Sequence, residues 1–360
     1  MIKLIKVNTF QKGYDTLYRN FKFSWNQGHY SKYLRNRIEW YLYPNLRKVS
    51  KFPLHLDIET TARCNMHCSM CPRRYVSNER PGVYDAYDDI DMGLYKKVVD
   101  ECADNNIYSI RLSWRGEVLV TPMLPEYIYY AKVVRKVPNV SFLTNGSLLK
   151  GELAEKIIDY GTDYISVSVD GLGEIYDKIR YPITFDEIYE NLDNFRRLRN
   201  KKGVKKPVVR VTTLWPAAAR DPEKYYKKMR KVADKIVCNP LKDYSITTQD
   251  KKDFILCQFL WERLFVGFNG MVQPCSNEKD GFVIGDANNS SIKEIWHSRK
   301  MNEIRRMHRK GQRLDIFPCN ECSYGVDYEK RWKGRDWTSW DPDELIPKKE
   351  LDLGKLENIG

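Results

Sequence analysis

The chain has 360 residues, 42% of them hydrophobic and 30% charged. That is enough for a large enzyme domain with an appendage, or for two domains, and it excludes disorder as the general state. No run of about 18 apolar residues occurs, which excludes a membrane-spanning helix, and Met1–Val7 is too short and too basic for a secretory signal.

The net charge of +13 is unevenly placed. Residues 1–55 hold 11 basic and 2 acidic side chains, whereas 336–360 hold 3 basic and 7 acidic ones. The first 52 residues form a basic, aromatic arm. Its periodicity predicts a helix from about Ser31 to Tyr43, with Pro44 as the stop. Such an arm fits a solvated basic face whose aromatics pack onto the rest of the chain. It also fits a phosphate-bearing substrate, a nucleic acid or an anionic membrane surface.

Leu54–Thr60 reads as a buried strand. Strands and amphipathic helices then alternate: helix 93–104, strand Ile107–Ser113, helix 124–136, strand Val140–Thr144, helix 149–160, strand Tyr164–Val169, helix 184–199, strand Val208–Leu214, helix 221–233 and strand Lys235–Cys238. Six strands with helical crossovers predict an α/β fold, a partial (β/α)6 TIM-like barrel ending near residue 240. The polar and Gly-containing turns follow the strands, so the site is expected at their carboxyl edge. From about 250 the texture changes. Leu264–Phe268, Asn269-Gly270 and Met271–Gln273 predict a hairpin with a two-residue turn. A basic helix at about 291–310, a cysteine pair and an acidic, Trp-containing tail follow. The expected divisions are an arm at 1–52, a core at 53–245, a small C-terminal domain (β-hairpin plus helix) at 246–335 and a tail at 336–360.

The chain holds nine cysteines. Without an export signal they point to a reducing, cytoplasmic setting, and so to ligation or catalysis before disulfides. Cys64, Cys68 and Cys71 stand in a C-x3-C-x2-C spacing directly after the first strand. Three thiolates on one loop suit three irons of a [4Fe–4S] cube and leave the fourth iron open to a small molecule. A structural zinc site or buried core cysteines are the plainer alternatives.

On these residues, Leu54–Arg74 resembles the radical S-adenosylmethionine (radical SAM) superfamily. The resemblance implies a cluster that chelates S-adenosylmethionine and its reductive cleavage to a 5′-deoxyadenosyl radical, with an electron donor such as flavodoxin or ferredoxin. Met70 stands where the family often has an aromatic near the adenine. Arg115-Gly116-Glu117 occupies the place of a Gly-Gly-Glu turn, with Arg115 replacing the first glycine; Glu117 would bind the methionine ammonium and Gly116 would allow close backbone approach. Thr144-Asn145-Gly146 ends the third strand much as in the family. Ser168 is implied at the ribose or carboxylate, and Arg180 at the methionine carboxylate. Downstream, Cys257, Cys275, Cys319 and Cys322, with Ile284-Gly285-Asp286, Ile292–Trp296 and Arg305, resemble a SPASM/twitch-type domain. Four thiolates saturate one auxiliary [4Fe–4S] cluster, for electron transfer, or a zinc ion.

Two cysteines remain. Cys102 shares a helix face with Val98 and Val99 and reads as core. Cys238, at the carboxyl end of the sixth strand, is either a buried strand residue or a hydrogen-atom donor to a substrate radical, as an epimerase needs. The leading expectation is a radical SAM oxidoreductase or epimerase acting on a small polar, sugar-like or aminocyclitol-like substrate, possibly phosphorylated. Ribosomal-peptide modification, and a non-catalytic iron–sulfur or zinc protein that binds nucleic acid through the arm, are the alternatives.

Overall fold

The computed structural model describes residues 17–26, 28–71, 88–239, 257–276, 282–322, 340 and 342. The expected divisions at 245/246 and 335/336 lie outside these residues, as do residues 1–16 and most of the acidic tail.

Two helices, α1 (Leu17–Asn26) and α2 (Tyr30–Leu46), precede six strands: β1 (His55–Ile58), β2 (Ser109–Arg111), β3 (Asn139–Thr144), β4 (Tyr164–Ser168), β5 (Val208–Leu214) and β6 (Lys235–Asn239). Each strand pairs in parallel with the next. The crossovers are α3 (Met92–Asp104), α4 (Leu124–Tyr129) continued by a π turn at Tyr130–Val134, α5 (Gly151–Asp159), α6 (Glu174–Ile179) with α7 (Phe185–Lys201), and α8 (Trp215–Ala219) with α9 (Pro222–Met229). Local chemistry explains their starts. Asp91 caps α3 by accepting from the Gly93 and Leu94 amides, and Thr184 with Glu187 forms a capping box on α7. Leu94, Tyr95, Val98, Val99 and Cys102 then recur at helical spacing and are all buried.

After α10 (Phe259–Glu262) the chain returns to the same sheet. β7 (Arg263–Val266) pairs in parallel with β1, and β8 (Met271–Gln273) and β9 (Gly285–Asp286) continue antiparallel. The strand order is β6-β5-β4-β3-β2-β1-β7-β8-β9, an open sheet and so a partial barrel. One apolar core extends from Phe52 to Cys319. The helices α11 (Ile292–Trp296) and α12 (Arg299–Arg309) dock onto the first half of the chain. Glu101 of α3 accepts from the Ile292 and Lys293 amides at 2.7 and 2.8 Å, and Trp296 Nε1 donates to the Ser50 carbonyl at 2.9 Å.

Strand register divides the sheet into two faces. Leu56, Ile110, Val140, Ile165, Val209 and Ile236 belong to the core under the helices. The opposite face, which lines the lumen, is polar: Asp57 is level with Arg111, Arg111 with Ser141, Ser166 with Arg210, and Arg210 with Lys235.

Two local expectations are corrected, and α1, α6, α8 and α10 were not anticipated. Pro44 does not stop α2, which runs to Leu46 with Pro44 buried inside it. In the last turn the missing N–H costs one bond, and Arg47 in the left-handed region then closes the helix through the Lys48 amide on the Tyr43 carbonyl. The single basic helix at 291–310 is two helices, because the Ser298 hydroxyl accepts from the Met301 amide and starts a new one. The five-residue α8 went unpredicted, since so short a helix has no apolar period to read.

Candidate active site and auxiliary metal centre

The loop that carries Cys64, Cys68 and Cys71 leaves the carboxyl end of β1 and is tied down on both flanks. Before it, Arg63 forks onto Asp89, and the Thr121 hydroxyl donates to the same carboxylate at 2.6 Å. Within it, the His67 and Ser69 amides donate to the carbonyls of Tyr181 and Ile179 at 2.9 and 3.1 Å. Asn65 is held from β3's end: its Oδ1 accepts from Asn145 Nδ2 at 2.9 Å, and its Nδ2 donates to the Ser147 hydroxyl at 2.9 Å. Asn65 is a positioning residue that sequence reasoning missed. Its place inside the cysteine spacing was the available signal.

Gly116 lies directly against this loop. A Cβ there would sit 2.3 Å from the Thr61 carbonyl oxygen and 2.6 Å from that of Arg63. Only a residue without a side chain lets the two backbones meet, and the Glu117 amide uses that approach to donate to the Arg63 carbonyl at 2.8 Å. The Glu117 carboxylate is buried. It accepts from the Leu119 amide at 3.1 Å and from the Thr144 hydroxyl and the Asn145 amide, each at 2.5 Å. Burial raises its pKa, against the pull of those donors. Three of roughly four acceptor positions are used, leaving one for a further donor.

Arg180 is half-buried beside Cys68. It forks onto Asp170 and aims Nη1 at Cys68 Sγ, 3.6 Å away. Burial raises the Cys68 pKa and the Arg180 charge opposes it. Asp170 also accepts from the Leu214 amide at 2.7 Å, tying the ends of β4 and β5 together. Ser168 stands on the lumen face at the end of β4, level with Thr212. Met70 packs beside Ile179, Ala217 and Trp340, with Ile175 and Leu214 next to them. Trp340 belongs to the tail, and its return to this edge was invisible in the sequence.

Arg115, where the resemblance expects glycine, forks onto the fully buried Glu59 of β1's end and stacks on Trp114 at 4.2 Å. Glu59 also accepts from the Phe268 amide at 3.3 Å, in the β7–β8 turn. One ion pair thus joins β1, β2's end and the hairpin. Deeper in the lumen, Asp57 faces Arg111, His55 at 3.4 Å and Arg263 at 3.6 Å. Arg111 and His55, against the burial penalty, bring Asp57 down to about 2. Burial pushes His55 down to about 4 and Glu262 up to about 7. Arg210 is half-buried in the same lumen. Among the described residues it pairs with no carboxylate: Nε donates to the Ser166 hydroxyl at 3.0 Å, and the guanidinium sits 5.3 Å from the Tyr164 ring.

Cys238 shares its strand face with Ile236, is fully buried and belongs to the core under the helices. Its position at the strand's end is at the rim, but the two-residue alternation turns its side chain away from the lumen. Cys102 is likewise in that core, where burial raises its pKa well above the usual thiol value.

All nine cysteines are free of disulfides. Among the described residues no three His, Cys, Asp or Glu side chains converge tightly enough for a single metal ion. A four-iron cube spreads its ligands wider than one ion does, and the donor set here, three thiols on one anchored loop, is the set such a cube takes. In the C-terminal part, Cys257 and Cys322 are near enough to affect one another, and Arg313 offsets part of the burial that pushes Cys257 up to about 12. Cys319 is buried, its carbonyl accepting from the Cys322 amide at 3.3 Å. Cys275 follows β8 and packs on the core. Four thiols suit a fully ligated cluster.

An open parallel α/β barrel with a three-cysteine loop at its carboxyl edge and a cysteine-bearing hairpin module defines an iron–sulfur protein of partial-barrel type. The radical SAM superfamily model matches residues 58–231, and the SPASM model, an iron–sulfur cluster-binding domain, matches 257–323. The chain belongs to the radical SAM superfamily and carries a C-terminal SPASM domain. Its cofactors are a [4Fe–4S] cluster and S-adenosylmethionine, with auxiliary iron–sulfur ligation in the SPASM domain. The chain is 31% identical over 130 residues to the antilisterial bacteriocin subtilosin biosynthesis protein AlbA of Bacillus subtilis (strain 168), covering 36% of this chain and 27% of that protein. It is 33% identical over 134 residues to a probable GTP 3',8-cyclase of Methanococcus maripaludis, covering 37% and 41%. The chain thus spans less than half the length of these curated relatives. The solved structure of native anSMEcpe with bound AdoMet shares the fold with a TM-score of 0.56 at 15% identity, over 78% of this chain and 95% of that one.

Proposed function

We propose that this radical SAM enzyme acts on a small polar substrate bearing a carboxylate or phosphate, held in the barrel lumen, and oxidises it by dehydrogenation. When bound, the cluster and S-adenosylmethionine would supply a 5′-deoxyadenosyl radical for hydrogen-atom abstraction from a substrate carbon, and the auxiliary cluster would accept the second electron as the substrate releases a proton to solvent. Cys64, Cys68 and Cys71 would hold the first cluster, and Cys257, Cys275, Cys319 and Cys322 one auxiliary cluster. Glu117, through its remaining acceptor position, would receive the methionine ammonium, and Asn145 and Gly116 fix that carboxylate in place. Arg180 would steady Cys68 and, from the same half-buried position, attract the methionine carboxylate. Ser168 faces the lumen where a ribose would lie, and Met70 offers an apolar contact for an adenine.

The observation that carries the substrate class is Arg210. A half-buried guanidinium facing the lumen, with only a hydroxyl and a ring for partners among the described residues, is a receptor for an anion. The placement of Cys238 under the helices favours dehydrogenation over epimerisation, because no thiol from β6 reaches the lumen. Peptide modification is the second reading, favoured by the relative in subtilosin biosynthesis.

The test is 5′-deoxyadenosine formation by the reduced, reconstituted enzyme against phosphorylated, carboxylated and neutral sugars and cyclitols, and a precursor peptide. Anionic small molecules should stimulate cleavage, and Arg210→Gln should raise their KM by about 10–100-fold while sparing basal cleavage. Stimulation by neutral compounds or peptide alone, with Arg210→Gln indistinguishable from wild type, overturns the substrate class.

A further inference from the structure

The basic arm has a face that the barrel does not use. The inward side of α2 covers the amino-terminal ends of β1, β2 and β7. Asn36 Nδ2 donates to the Leu54 carbonyl at 3.1 Å, Trp40 meets His55 edge-on at 6.0 Å, and Arg263 stacks on Trp40 at 4.6 Å. The outward side of a surface helix is ordinarily polar. Here it carries Leu34, Ile38, Tyr41 and Leu42, exposed by 59%, 54%, 49% and 40%. Their spacing places them in one stripe, which Leu46 extends. α1 adds the exposed Phe21 and Trp25. Trp25 stacks on Tyr30 at 3.8 Å, and Tyr30 Oη donates to the Trp25 carbonyl at 2.8 Å, which joins the two helices into one patch.

Exposed cations lie on the same helices and directly after them: Lys22, Lys32, Arg35, Arg47, Lys48 and Lys51. Glu39, the single acidic residue of α2, is engaged by Arg35 at 3.0 Å. A partner must therefore cover aliphatic surface and carry negative charge. A nucleic acid meets the charge but has no aliphatic face. A second copy of this chain meets the apolar stripe but brings the same cations with it. An anionic bilayer meets both requirements.

We propose that α1 and α2 dock the enzyme on an anionic lipid surface, with α2 lying in the interface plane and Trp25, Tyr30 and Tyr41 at headgroup level. No helix among the described residues is long and apolar enough to cross a membrane, so the attachment is peripheral. The docking face is at the amino-terminal end of the barrel and the cysteine loop is at the carboxyl edge, so attachment leaves the active site open. Such docking does not depend on the substrate class proposed for the lumen.

The test is flotation of the reconstituted holoprotein with vesicles of phosphatidylcholine alone or mixed with phosphatidylglycerol, at low and high salt. Binding is expected only with phosphatidylglycerol, and weaker at high salt. Leu34→Glu with Ile38→Glu should lower it more than tenfold, and Lys32→Gln with Arg35→Gln by about fivefold per charge. Iron content and S-adenosylmethionine cleavage should be unchanged in both variants. If the glutamate pair fails to fold, Leu34→Ser with Ile38→Ser replaces it. No binding to phosphatidylglycerol vesicles at low salt, or binding indifferent to both pairs, overturns the proposal. So does a dimer seen by light scattering that the stripe variants dissolve, or RNA binding that survives them.

Discussion

Replacing Gly116 by Ala adds one methyl group at the tightest backbone crossing of the site. Its Cβ would stand 2.3 Å from Thr61 O, 2.6 Å from Arg63 O and 2.9 Å from Ala62 C, all of them main-chain atoms that no rotamer change can clear. To reach ordinary contact, residues 61–63 must retreat by about 1 Å, and the 2.8 Å bond from the Glu117 amide to the Arg63 carbonyl is lost with them. Overpacking of this kind costs about 1–3 kcal/mol, and an orphaned buried amide another 1–3 kcal/mol, so the sum is about 2–6 kcal/mol. The displaced segment leads directly into Cys64, so the loss falls on one cluster and spares the auxiliary cysteines. Anaerobic reconstitution followed by iron and sulfide analysis, and electron paramagnetic resonance of the reduced protein with and without S-adenosylmethionine, reads this out. The expected result is loss of the signal that responds to S-adenosylmethionine, with the auxiliary signal retained. Gly203→Ala is the control: its φ of +69° makes it strained, by about 1–2 kcal/mol, but nothing lies within 4 Å of the new methyl. A Gly116→Ala protein with a full iron complement and wild-type stability would refute the reasoning.

Three further outcomes are expected. Arg115→Ala leaves Glu59 buried without its ion partner and should destabilise by about 3–5 kcal/mol, whereas Arg115→Ala with Glu59→Gln should recover much of that in denaturant unfolding. His308 is fully buried, neither ring nitrogen has a partner among the described residues, and burial holds its pKa down to about 3. A histidine depressed in the folded state contributes stability that is present above about pH 6.5 and lost as pH falls towards 3, at most about 5 kcal/mol. His308→Leu should therefore unfold less readily than wild type in acid, by unfolding curves from pH 7 to 5; an identical pH slope would contradict this. Cys238→Ala should lower stability by about 1 kcal/mol through a small cavity and leave 5′-deoxyadenosine and product yields unchanged; product loss with cleavage intact would restore it as a hydrogen donor.

Much of the fold was legible along the chain because its signals are local. Alternating strand and helix periods locate all six barrel strands to within a few residues, and the three-cysteine loop follows the first of them as its spacing after Leu54–Thr60 expects. Asn269-Gly270 marks the hairpin, but its loop is longer than the two residues expected: Val266 pairs with Val272, and the Gly267 amide donates to the Met271 carbonyl at 2.9 Å. What failed were features without a local period: the short α8, the break at Ser298 and the tolerance of Pro44 in a last turn.

The sequence by itself determined the family and the uneven charge, and it carries the cysteine spacing on which the proposed ligand set rests, since each is a matter of residue type and spacing. Only the tertiary structure decided which groups meet. It put Asn65 on Asn145, 80 positions away, and brought β7 beside β1 to make the module part of one sheet. It turned Cys238 from the lumen to the core, because a strand reverses its side chain at every residue and the sequence does not say which face is which. It also turned Asn36 and Trp40 of α2 onto the barrel and left the stripe of Leu34, Ile38, Tyr41 and Leu42 outward. The physical reason is common to these cases. Chemistry is carried by single side chains, but burial and orientation are properties of the elements packed around them.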